Sequence, residues 1–491
     1  MALLDFDLLS VQEARNLLQK AKEAQKKLAK LDQEQVDKII KNMALKAEKD
    51  AQQLAKMATE ETGFGNEFDK MTKNLFAAKE VYEAIKDMKT VGIINIDDQK
   101  QVWEIAEPVG IIAGIVPSTN PTSTIIFKSL IAIKSRNAIV FSPHPSALKC
   151  SLEAAKIMAK AAEEAGAPAN VIQCMEHPSL PGTNELMSHS ITDLILATGG
   201  PGMVKAAYSS GKPAYGVGPG NVPVYVHESA DLDLAARSII ESKSFDYGTI
   251  CASEQAVIVD KKIKQAFIHQ LQKHGAYLLS ETEKAKVASV ILRGGSLNSR
   301  IVGKSPRAIG EMVGLSFPEN IKVLIGEEKE IGKNIPFAVE KLSPILALYT
   351  VENWEEGCDV SIQLLEVGGL GHTLGIHSQD REVIKAFALK KPASRIIVNS
   401  GTTFGGIGAT TGIFPSLTLG CGSYGNNITS DNIGPQHLLN IKRVAFGIRE
   451  MNAEHVQPSK TIEEENKILS NIAINQEEIV KIVKRILEEI K

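Results

Sequence analysis

The side chain with the clearest capacity for chemistry in this sequence is the thiol of Cys251. It lies in the stretch SFDYGTICAS at residues 244–253, after a glycine turn at Gly248 and before the small residues Ala252 and Ser253. A thiolate is the strongest common side-chain nucleophile near neutral pH, and it forms thioesters with carbonyl substrates. The alternative is that Cys251 is a small buried apolar residue, which is the usual role of a free cysteine.

The segments on either side of this cysteine are of the kind that hold a reactive group in place. Residues 231–243 have the pattern of an amphipathic helix with Asp231 as its N-cap, and residues 255–259, QAVIV, are typical of a buried strand. Cys251 is therefore predicted to lie on a short turn between a helix and a strand. Catalytic groups are often held on such loops, which rigid elements fix in position.

Composition argues against several classes of function. The chain has 491 residues, of which 23% are charged, and a net charge of -3, so we expect two or three domains and no nucleic-acid partner. Its five cysteines are scattered and form no CxxC pair, so we expect neither a disulfide framework nor a thiolate metal site. We see no signal peptide and no apolar stretch near the roughly 20 residues of a membrane span. These features favour a soluble cytoplasmic protein.

The start of the chain is predicted to be helical and to lead into a hairpin. Residues 10–31 have a helical pattern, with Ser10 and Glu13 as a capping box. Residues 91–107 alternate in polarity around a central turn, as in a β-hairpin. This hairpin is a candidate subunit contact, and the alternative is an ordinary edge hairpin.

Beyond Pro108 the sequence changes to strands that alternate with helices. This pattern predicts an α/β fold with a parallel sheet, in which ligands bind at the carboxyl ends of the strands. A second α/β region follows the Cys251 loop. The predicted strands of the two regions are residues 109–116, 137–141, 171–175, 194–197, 255–259, 322–325, 345–349 and 438–446.

An ordered set of motifs over residues 11–450 resembles the CoA-acylating branch of the aldehyde dehydrogenase superfamily. The likeness is to acetylating acetaldehyde dehydrogenases, including the aldehyde-dehydrogenase half of bifunctional aldehyde–alcohol dehydrogenases, and to acylating enzymes of bacterial microcompartments. The motifs are VPSTNPTS at 116–123, TGGPG at 198–202, GVGPGN at 216–221, the Cys251 loop at 245–254, EKLSP at 340–344, GHT at 371–373 and LTLGCG at 417–422.

The resemblance implies an aldehyde dehydrogenase-like α/β fold with a Rossmann-type cofactor domain, an α/β catalytic domain and a β-hairpin oligomerisation extension. It also implies a homodimer or homotetramer. The implied parts are a cofactor domain at 1–90 and 108–226, oligomerisation strands at 91–107 and 436–450, a catalytic domain at 227–435, and a linker with an amphipathic helix at 451–491.

The same resemblance implies NAD-dependent oxidation of a short-chain aldehyde, with acetaldehyde favoured, to an acyl-CoA. Cys251 would attack the aldehyde and coenzyme A would take the acyl group, in a reversible reaction. Related interpretations are an acylating dehydrogenase for propionaldehyde, butyraldehyde or sulfoacetaldehyde, and a hydrolytic aldehyde dehydrogenase. A non-redox scaffold that recruits partners through its tail is the alternative from a different class.

Attack on a carbonyl creates an oxyanion, which needs hydrogen-bond donors about 3 Å away. The candidates are the backbone N–H of Cys251 and the turn at residues 117–121. Hydrolytic relatives use an Asn in this turn, and the spacing of its two prolines aligns Thr119 with that Asn, whereas Asn120 is one place further on. Both residues remain candidates, and the alternative for Asn120 is ordinary turn chemistry.

Transfer of the acyl group to water would need a general base. Hydrolytic relatives carry a Glu in an ELGG motif, and the matching place here is GVGPG at residues 216–220, with no carboxylate between Asp193 and Glu228. Water would then lack an activator, whereas a CoA thiol ionises more readily. A base from elsewhere remains an alternative. His372 is one option, and it is also a candidate for an ordinary structural histidine.

Cofactor binding is assigned to the ends of several predicted strands. Thr198-Gly-Gly-Pro-Gly202 follows a strand and opens a helix whose N-terminus would face a pyrophosphate, although by itself it is only a tight turn. Glu340 matches a family Glu that accepts ribose hydroxyls, with a surface carboxylate as the alternative. A Lys of the hydrolytic relatives is missing here, which leaves NAD against NADP open. The expected cofactor-binding residues are Pro117, Ser142, His144, Thr198, Gly199, Gly200, Gly202, Gly216, Gly218, Glu340 and Leu342.

The end of the sequence, residues 476–491, has a single apolar stripe on an otherwise charged helix. A helix of this length needs a partner surface. One interpretation is docking on its own subunit or dimer mate. The other is an encapsulation peptide that binds microcompartment shell or cargo proteins, which would place the protein inside a microcompartment.

Overall fold

The computed structural model describes residues 5–449 and 476–489. The chain forms two compact units, one of Met1–Ile94 with Ile105–Lys442 and one of Asn95–Glu104 with Arg443–Lys491. The expected linker after residue 450 lies outside the described residues. The domain boundaries expected from the sequence stay a prediction.

The strands fall into two large parallel sheets, a three-stranded sheet and a short two-stranded ribbon. They are β1 Gly92–Asp97, β2 Val102–Pro108, β3 Ile111–Val116, β4 Ala138–Pro143, β5 Ile172–Cys174, β6 Leu194–Thr198, β7 Ala214–Val217, β8 Val222–Val226, β9 Glu254–Asp260, β10 Ala276–Leu278, β11 Leu292–Arg293, β12 Ser296–Leu297, β13 Val323–Glu327, β14 Ile345–Val351, β15 Gly371–His377, β16 Ala393–Val398 and β17 Leu439–Ala445.

Helices lie before, between and after these strands. They are α1 Phe6–Leu28, α2 Gln33–Lys49, α3 Ala51–Thr62, α4 Glu67–Leu75, α5 Val81–Ile85, α6 Pro121–Lys134, α7 Leu148–Glu164, α8 Leu180–Ser188, α9 Pro201–Tyr208, α10 Leu232–Ser244, α11 Lys264–Lys273, α12 Glu281–Ile291, α13 Pro306–Met312, α14 Trp354–Gly368, α15 Arg381–Leu389, α16 Thr402–Gly406 and α17 Gln476–Glu489. A π-helical segment, Phe76–Glu80, joins α4 to α5.

The first large sheet has the strand order β5-β4-β3-β6-β7, with all pairs parallel. Its central strands β3 and β4 are buried along their whole length, as expected where helices cover both faces of a parallel sheet. Ile112 of β3 lies opposite Ile139 of β4 and Leu194 of β6. The strands that the sequence predicts here are confirmed to within two residues.

The second large sheet has the order β10-β13-β14-β9-β8-β15-β16 and is also parallel. The predicted strands that became β9, β13 and β14 are confirmed. The two strands at the β16 end, β15 and β16, were not predicted. The strands of this sheet are parallel, and β8 lies between β9 and β15. The first residues of β9 and β15 therefore lie at the same end of the sheet.

The first helix begins earlier than the sequence predicts. It starts at Phe6 with Asp5 as its N-cap, so the capping box of Ser10 and Glu13 is wrong. Ser10 is buried and accepts the backbone N–H of Ser179, and Glu13 accepts the N–H groups of the segment before α8. Their side chains serve long-range contacts, which a local capping pattern does not distinguish from a helix start.

The predicted hairpin is confirmed as β1 and β2, which form a three-stranded sheet with β17 in the order β1-β2-β17. Within the smaller unit, the rings of Trp103 and Phe446 pack edge to face with centroids 5.2 Å apart, and Arg443 pairs with Glu104 at 3.2 Å. Both aromatic side chains remain more than a third exposed. The subunit-contact role of this sheet stays a prediction.

Helix α17 keeps its predicted apolar stripe exposed, with Ile479, Ile482, Val483, Ile486 and Leu487 all between 45% and 59% accessible. None of the described helices is both long and apolar enough to span a bilayer. Within residues 5–449 and 476–489, no cluster of three His, Cys, Asp or Glu side chains is arranged to hold a metal ion.

Candidate active site

The Cys251 loop joins α10 to β9, as predicted. Asp231 caps α10 by accepting the N–H of Leu234 at 3.0 Å. After α10, Asp246, Tyr247 and Gly248 have φ values of 47°, 51° and 74°, so the chain passes through three left-handed residues before it reaches Cys251. Such a conformation costs about 1–3 kcal/mol for each residue other than glycine, and the contacts of Asp246 must stabilise it.

The segment at residues 216–220 runs directly against the cysteine. A Cβ at Gly220 would lie 1.9 Å from the carbonyl oxygen of Cys251, so only glycine permits this approach. Cys251 itself is partly accessible, whereas its neighbours Ile250 and Ala252 are buried in the same apolar cluster as Ile126 of α6. The loop is therefore packed on both sides, while Cys251 keeps part of its surface accessible.

His372, at the start of β15, lies against the nucleophile. Its Nε2 is 3.3 Å from Sγ of Cys251, and its Nδ1 is 3.0 Å from the hydroxyl of Thr373. Burial, together with the nearby Arg395 guanidinium, lowers the pKa of His372 to about 3. Burial, reinforced by the Glu340 carboxylate, raises the pKa of the Cys251 thiol to about 12. In the free protein at neutral pH, a neutral imidazole therefore faces a neutral thiol.

Arg395 of β16 is a buried cation that holds the histidine strand in place. Its guanidinium donates to the carbonyls of His372 at 3.0 Å and Gly420 at 2.7 Å, and to the Thr373 hydroxyl at 3.3 Å. The remaining donors reach Ser430 and Asn432. Within the described residues it forms no salt bridge, so carbonyl, amide and hydroxyl oxygens satisfy it. Nothing in the sequence marked this residue, because β16 was not recognised.

Glu340 brings a carboxylate into the cleft from outside residues 193–228. Its Oε1 accepts the N–H of Gly220 at 3.1 Å, next to the cysteine carbonyl. Burial raises the pKa of Glu340 to about 7, although the Gly220 N–H favours its ionised form. Residues 216–220 contain no carboxylate, but Glu340 therefore supplies one close to Cys251.

The turn at residues 117–121 is tied to helix α4 by two buried lysines. Lys73 donates to Oδ1 of Asn120 at 2.5 Å, and Lys70 donates to the carbonyl of Thr119 at 3.0 Å. The side-chain N–H of Asn120 donates to the Thr119 hydroxyl at 3.1 Å. The structure thus brings both oxyanion candidates together at one turn, in contact with groups that the sequence interpretation did not name.

The TGGPG segment has the shape of a phosphate cradle. Thr198 ends β6 and its hydroxyl oxygen is buried without a hydrogen-bond partner among the described residues. A Cβ at Gly200, Gly202 or Gly218 would meet no described atom within 4 Å, so space lies open before the N-terminus of α9. A helix N-terminus with open backbone and an unpaired hydroxyl fits an anionic group such as a pyrophosphate.

The other residues expected to bind the cofactor lie in different environments, some packed and some partly exposed. Gly216 is packed, because a Cβ there would lie 2.9 Å from Val204 and from Tyr208, and Gly199 faces Met203 at an ordinary distance. Ser142 is buried and bonded to the Thr183 hydroxyl at 2.7 Å. Leu342 has a left-handed backbone with a φ of 44°, and Pro117 is half-buried where β3 ends.

His144 is exposed after β4 and lines a cleft of about 780 Å³ with Ser118, Ser146, Arg300 and Lys304, among others. The cleft is open to solvent and carries several groups that attract anions. Of the residues predicted from sequence, Cys251, His372 and Glu340 come together at the sulfur, Thr119 and Asn120 form the adjoining turn, and Thr198 with its glycines forms the cradle.

Comparison with known proteins decides the family. Residues 2–291 match the aldehyde dehydrogenase family model. The chain belongs to the aldehyde dehydrogenase family. It is 49% identical over 441 residues to the bifunctional aldehyde-alcohol dehydrogenase of Escherichia coli K12, covering 89% of this chain and 50% of that protein. The chain thus spans about half the length of the curated relatives it matches first.

Two further relatives are matched nearly end to end. The succinate-semialdehyde dehydrogenase (acetylating) of Clostridium kluyveri is 39% identical, with 88% of this chain and 95% of that one covered. The crystal structure of an acetylating aldehyde dehydrogenase from Geobacillus thermoglucosidasius superposes with a TM-score of 0.91 at 64% identity, covering 92% of this chain and 100% of that one. The aldehyde dehydrogenase-like fold expected from the sequence is confirmed.

Two solved propionaldehyde dehydrogenases are more distant members of the family. The enzyme of Rhodopseudomonas palustris, with bound CoA and an acylated cysteine, is 28% identical with a TM-score of 0.78, covering 88% of this chain and 97% of that one. That of a Clostridium phytofermentans fucose utilisation microcompartment is 29% identical with a TM-score of 0.80, covering 89% and 98%.

The protonation state of this aldehyde dehydrogenase's cysteine predicts how it reacts with an alkylating agent. Because the pKa of Cys251 is raised to about 12, its thiolate fraction should rise roughly tenfold per pH unit through pH 10. Peptide mapping of iodoacetamide-treated protein should show modification of Cys251 accelerating over that whole range. The matching peptide of Cys251→Ser serves as the blank. A rate that levels off near pH 7 would contradict the assignment of a neutral resting thiol.

Removal of Arg395 should be costly in two measurable ways. Arg395→Met leaves the buried carbonyls of His372 and Gly420 without their donor, and each such loss costs about 1–3 kcal/mol, so urea denaturation should show a fall of about 3 kcal/mol or more. The guanidinium also favours the Cys251 thiolate, so alkylation at a given pH should slow. Arg293→Met, on an exposed side chain, is the matched control. Unchanged stability and alkylation in Arg395→Met would remove this residue from the site.

Proposed function

We propose that this chain catalyses the NAD-dependent, CoA-acylating oxidation of a short-chain aldehyde, with acetaldehyde as the favoured substrate. The observation that carries the proposal is the contact between Cys251 and the neutral His372, 3.3 Å apart, in a chain similar to acetylating enzymes along most of its length. The sulfur is the group that would hold the acyl chain between oxidation and transfer. A non-redox scaffold would have no need for such a pair.

In the first step, Sγ of Cys251 attacks the aldehyde carbon while His372 Nε2 accepts the thiol proton. The carbon–sulfur bond forms as the carbonyl π bond opens, and the negative charge collects on oxygen. The backbone N–H of Cys251 and the Thr119–Asn120 turn are the proposed donors to that oxygen. Because charge appears only when the substrate arrives, the buried pair avoids a standing ion pair in a dry cleft.

A nicotinamide dinucleotide, when bound, supplies the hydride acceptor that converts the thiohemiacetal to an acyl-thioester. The cradle at Thr198, Gly200 and Gly202 would hold its pyrophosphate, and Glu340 would face its ribose hydroxyls. The unpaired Thr198 hydroxyl and the open space before α9 fit this group.

Acyl transfer to CoA rather than to water follows from the chemistry of the two acceptors. A thiol has a pKa near 8.5, whereas that of water is 15.7, so a thiol loses its proton to a given base far more readily than water does. After the proton taken from Cys251 has left His372 for solvent, His372 accepts the CoA thiol proton. Attack by the CoA sulfur on the thioester carbonyl then releases the Cys251 thiolate, which takes that proton from His372. The CoA-bound, cysteine-acylated relative from Rhodopseudomonas palustris supports this step. Its thioester product keeps the reaction reversible.

Glu340 is proposed to act on the cofactor side and not as an activator of water. Its Oε1 is already engaged by the Gly220 N–H, which holds the carboxylate against the segment at residues 216–220. A hydrolytic base would have to be ionised and free to accept a proton from water. The runner-up substrates are the other small aldehydes named above, since pocket shape alone separates them.

Association with other chains completes the proposal. The exposed aromatic side chains of β2 and of the segment after β17, Trp103 and Phe446, are proposed to form a contact between identical subunits in a dimer or tetramer. The exposed apolar stripe of α17 is proposed to bind microcompartment shell or cargo proteins. The relative from a Clostridium phytofermentans fucose utilisation microcompartment supports that setting.

The decisive assay is NADH formation by purified protein with acetaldehyde, in the presence and absence of CoA. We expect turnover only when CoA is present, and Cys251→Ala should reduce it by at least about 1,000-fold, because the covalent step is lost. Cys174→Ala, at the far end of β5, should keep the parent rate. Release of acetate without CoA would favour the hydrolytic alternative, and inactivity of the well-folded parent would favour the scaffold.

The tail can be tested separately from catalysis. Deletion of residues 459–491 should leave turnover unchanged and abolish co-purification with co-expressed microcompartment shell proteins. Ile482→Asp with Ile486→Asp should do the same by placing charge in the apolar stripe, whereas Lys484→Ala on the charged face should have no effect. Undiminished co-assembly of the deletion variant would refute the encapsulation role.

A further inference from the structure

Three charged side chains are buried beside the proposed active site and take no part in the steps above. Lys70 and Lys73 of α4 and Asp246 of the Cys251 loop are 2%, 3% and 0% exposed. Both lysines contact the same carboxylate oxygen, Lys70 at 3.1 Å. Two ammonium groups thus share one carboxylate, with Asp69 as the nearest additional anion. Burying charge is expensive unless each group is well bonded, so the partners of this cluster are informative.

On one side the cluster fixes the orientation of the Asn120 amide. Lys73 donates to Oδ1 of Asn120 at 2.5 Å, and because an ammonium has no lone pair, the group that faces it must be the amide oxygen. The two amide hydrogens therefore point away from Lys73. One reaches the Thr119 hydroxyl at 3.1 Å, which leaves the other available as a donor.

On the other side the cluster fixes the strained start of the Cys251 loop. Oδ1 of Asp246 accepts the N–H of Asn66 at 3.0 Å, and Oδ2 accepts the Thr249 hydroxyl at 2.6 Å. The backbone N–H of Asp246 donates to Asp69 at 2.7 Å. Although burial alone would raise it, Lys73 and Lys70 hold the pKa of Asp246 below its ordinary value. These contacts stabilise the left-handed residues that precede the nucleophile.

We infer that Lys73 is a positioning residue. Its contact with Oδ1 of Asn120 directs the amide N–H of that residue toward the developing oxyanion. Its bond to Asp246 holds the Cys251 loop in place beside this amide. The inference rests on the proposed function and deepens it. It assigns Asn120 as the side-chain donor, since the contact with Lys73 leaves one amide N–H of Asn120 unengaged. Lys70 shares Asp246 but reaches only the backbone carbonyl of Thr119, so it supports the turn without orienting the amide.

The test is a double-mutant cycle on a reaction that needs neither cofactor. Acylation of Cys251 by 4-nitrophenyl acetate forms the same kind of oxyanion and releases a coloured phenolate. Removing one oxyanion donor costs about 100–1,000-fold, so Asn120→Ala should slow single-turnover acylation by at least about 100-fold. Lys73→Met should slow it by about 10- to 100-fold. Because Lys73 acts in part through Asn120, the Lys73 substitution should slow the Asn120→Ala variant by much less than it slows the parent, the remainder reflecting its bond to Asp246.

Lys70→Met is the matched control, because it removes a buried ammonium from the same carboxylate without touching the amide. Lys70→Met should slow acylation less than Lys73→Met does. When Lys70→Met is combined with Asn120→Ala, the two fold-changes in rate should multiply. Thermal melts of all variants establish that they fold. Where Lys73→Met fails to fold, Lys73→Gln replaces it, since a glutamine amide still donates to Oδ1 and should restore part of the rate.

Two results would overturn the inference. One is a double variant slower than Asn120→Ala by the full factor of the Lys73 substitution, which would make Lys73 a loop anchor only. The other is an unchanged acylation rate in folded Asn120→Ala. Failure of the proposed function looks different, because then the parent itself would not be acylated at Cys251, or Cys251→Ala would react as fast as the parent.

Discussion

Burial of an uncharged thiol against an uncharged imidazole is the constraint on which the site depends. An ionised Cys251–His372 pair would place two charges where His372 is fully buried and Cys251 partly so, and the desolvation cost of such a pair often exceeds its attraction. The pKa values of about 12 for Cys251 and about 3 for His372 express that cost. In the proposed reaction the proton moves only when a carbonyl carbon arrives to take the electron pair of the sulfur.

That arrangement demands accurate placement of groups from distant parts of the chain, and buried cations provide it. Arg395 fixes the histidine strand by bonding the His372 carbonyl and Thr373 hydroxyl. Lys70 and Lys73 fix the turn at residues 117–121 and the Asp246 carboxylate. In each case a long cationic side chain donates to several oxygens at once, so one residue joins segments far apart in sequence. Breaking such a buried network costs more than breaking an exposed salt bridge.

Local pattern was enough to predict the elements around Cys251. Asp231 with the apolar spacing after it specified α10, and the run at residues 255–259 specified β9. Arg395 and the two lysines were missed because a charged residue in a short segment has the same local signature whether it is solvated or buried. The Ser10 capping box failed for the same reason, since Ser10 and Glu13 bond segments about 160 residues away in the chain. Contacts of this kind depend on the tertiary fold and leave no periodic signal.

Glu340 shows why the presence of a carboxylate does not by itself determine the acyl acceptor. A hydrolytic site needs an ionised base free to take a proton from water, whose pKa is 15.7. Here burial raises the pKa of Glu340 to about 7 and the Gly220 N–H occupies one of its oxygens. That same N–H belongs to Gly220, where a Cβ would lie 1.9 Å from the carbonyl oxygen of Cys251. Gly220 thus brings its segment close to Cys251 and also restrains the Glu340 carboxylate. In the proposed reaction a thiol is the favoured acyl acceptor, because a thiol ionises more readily than water.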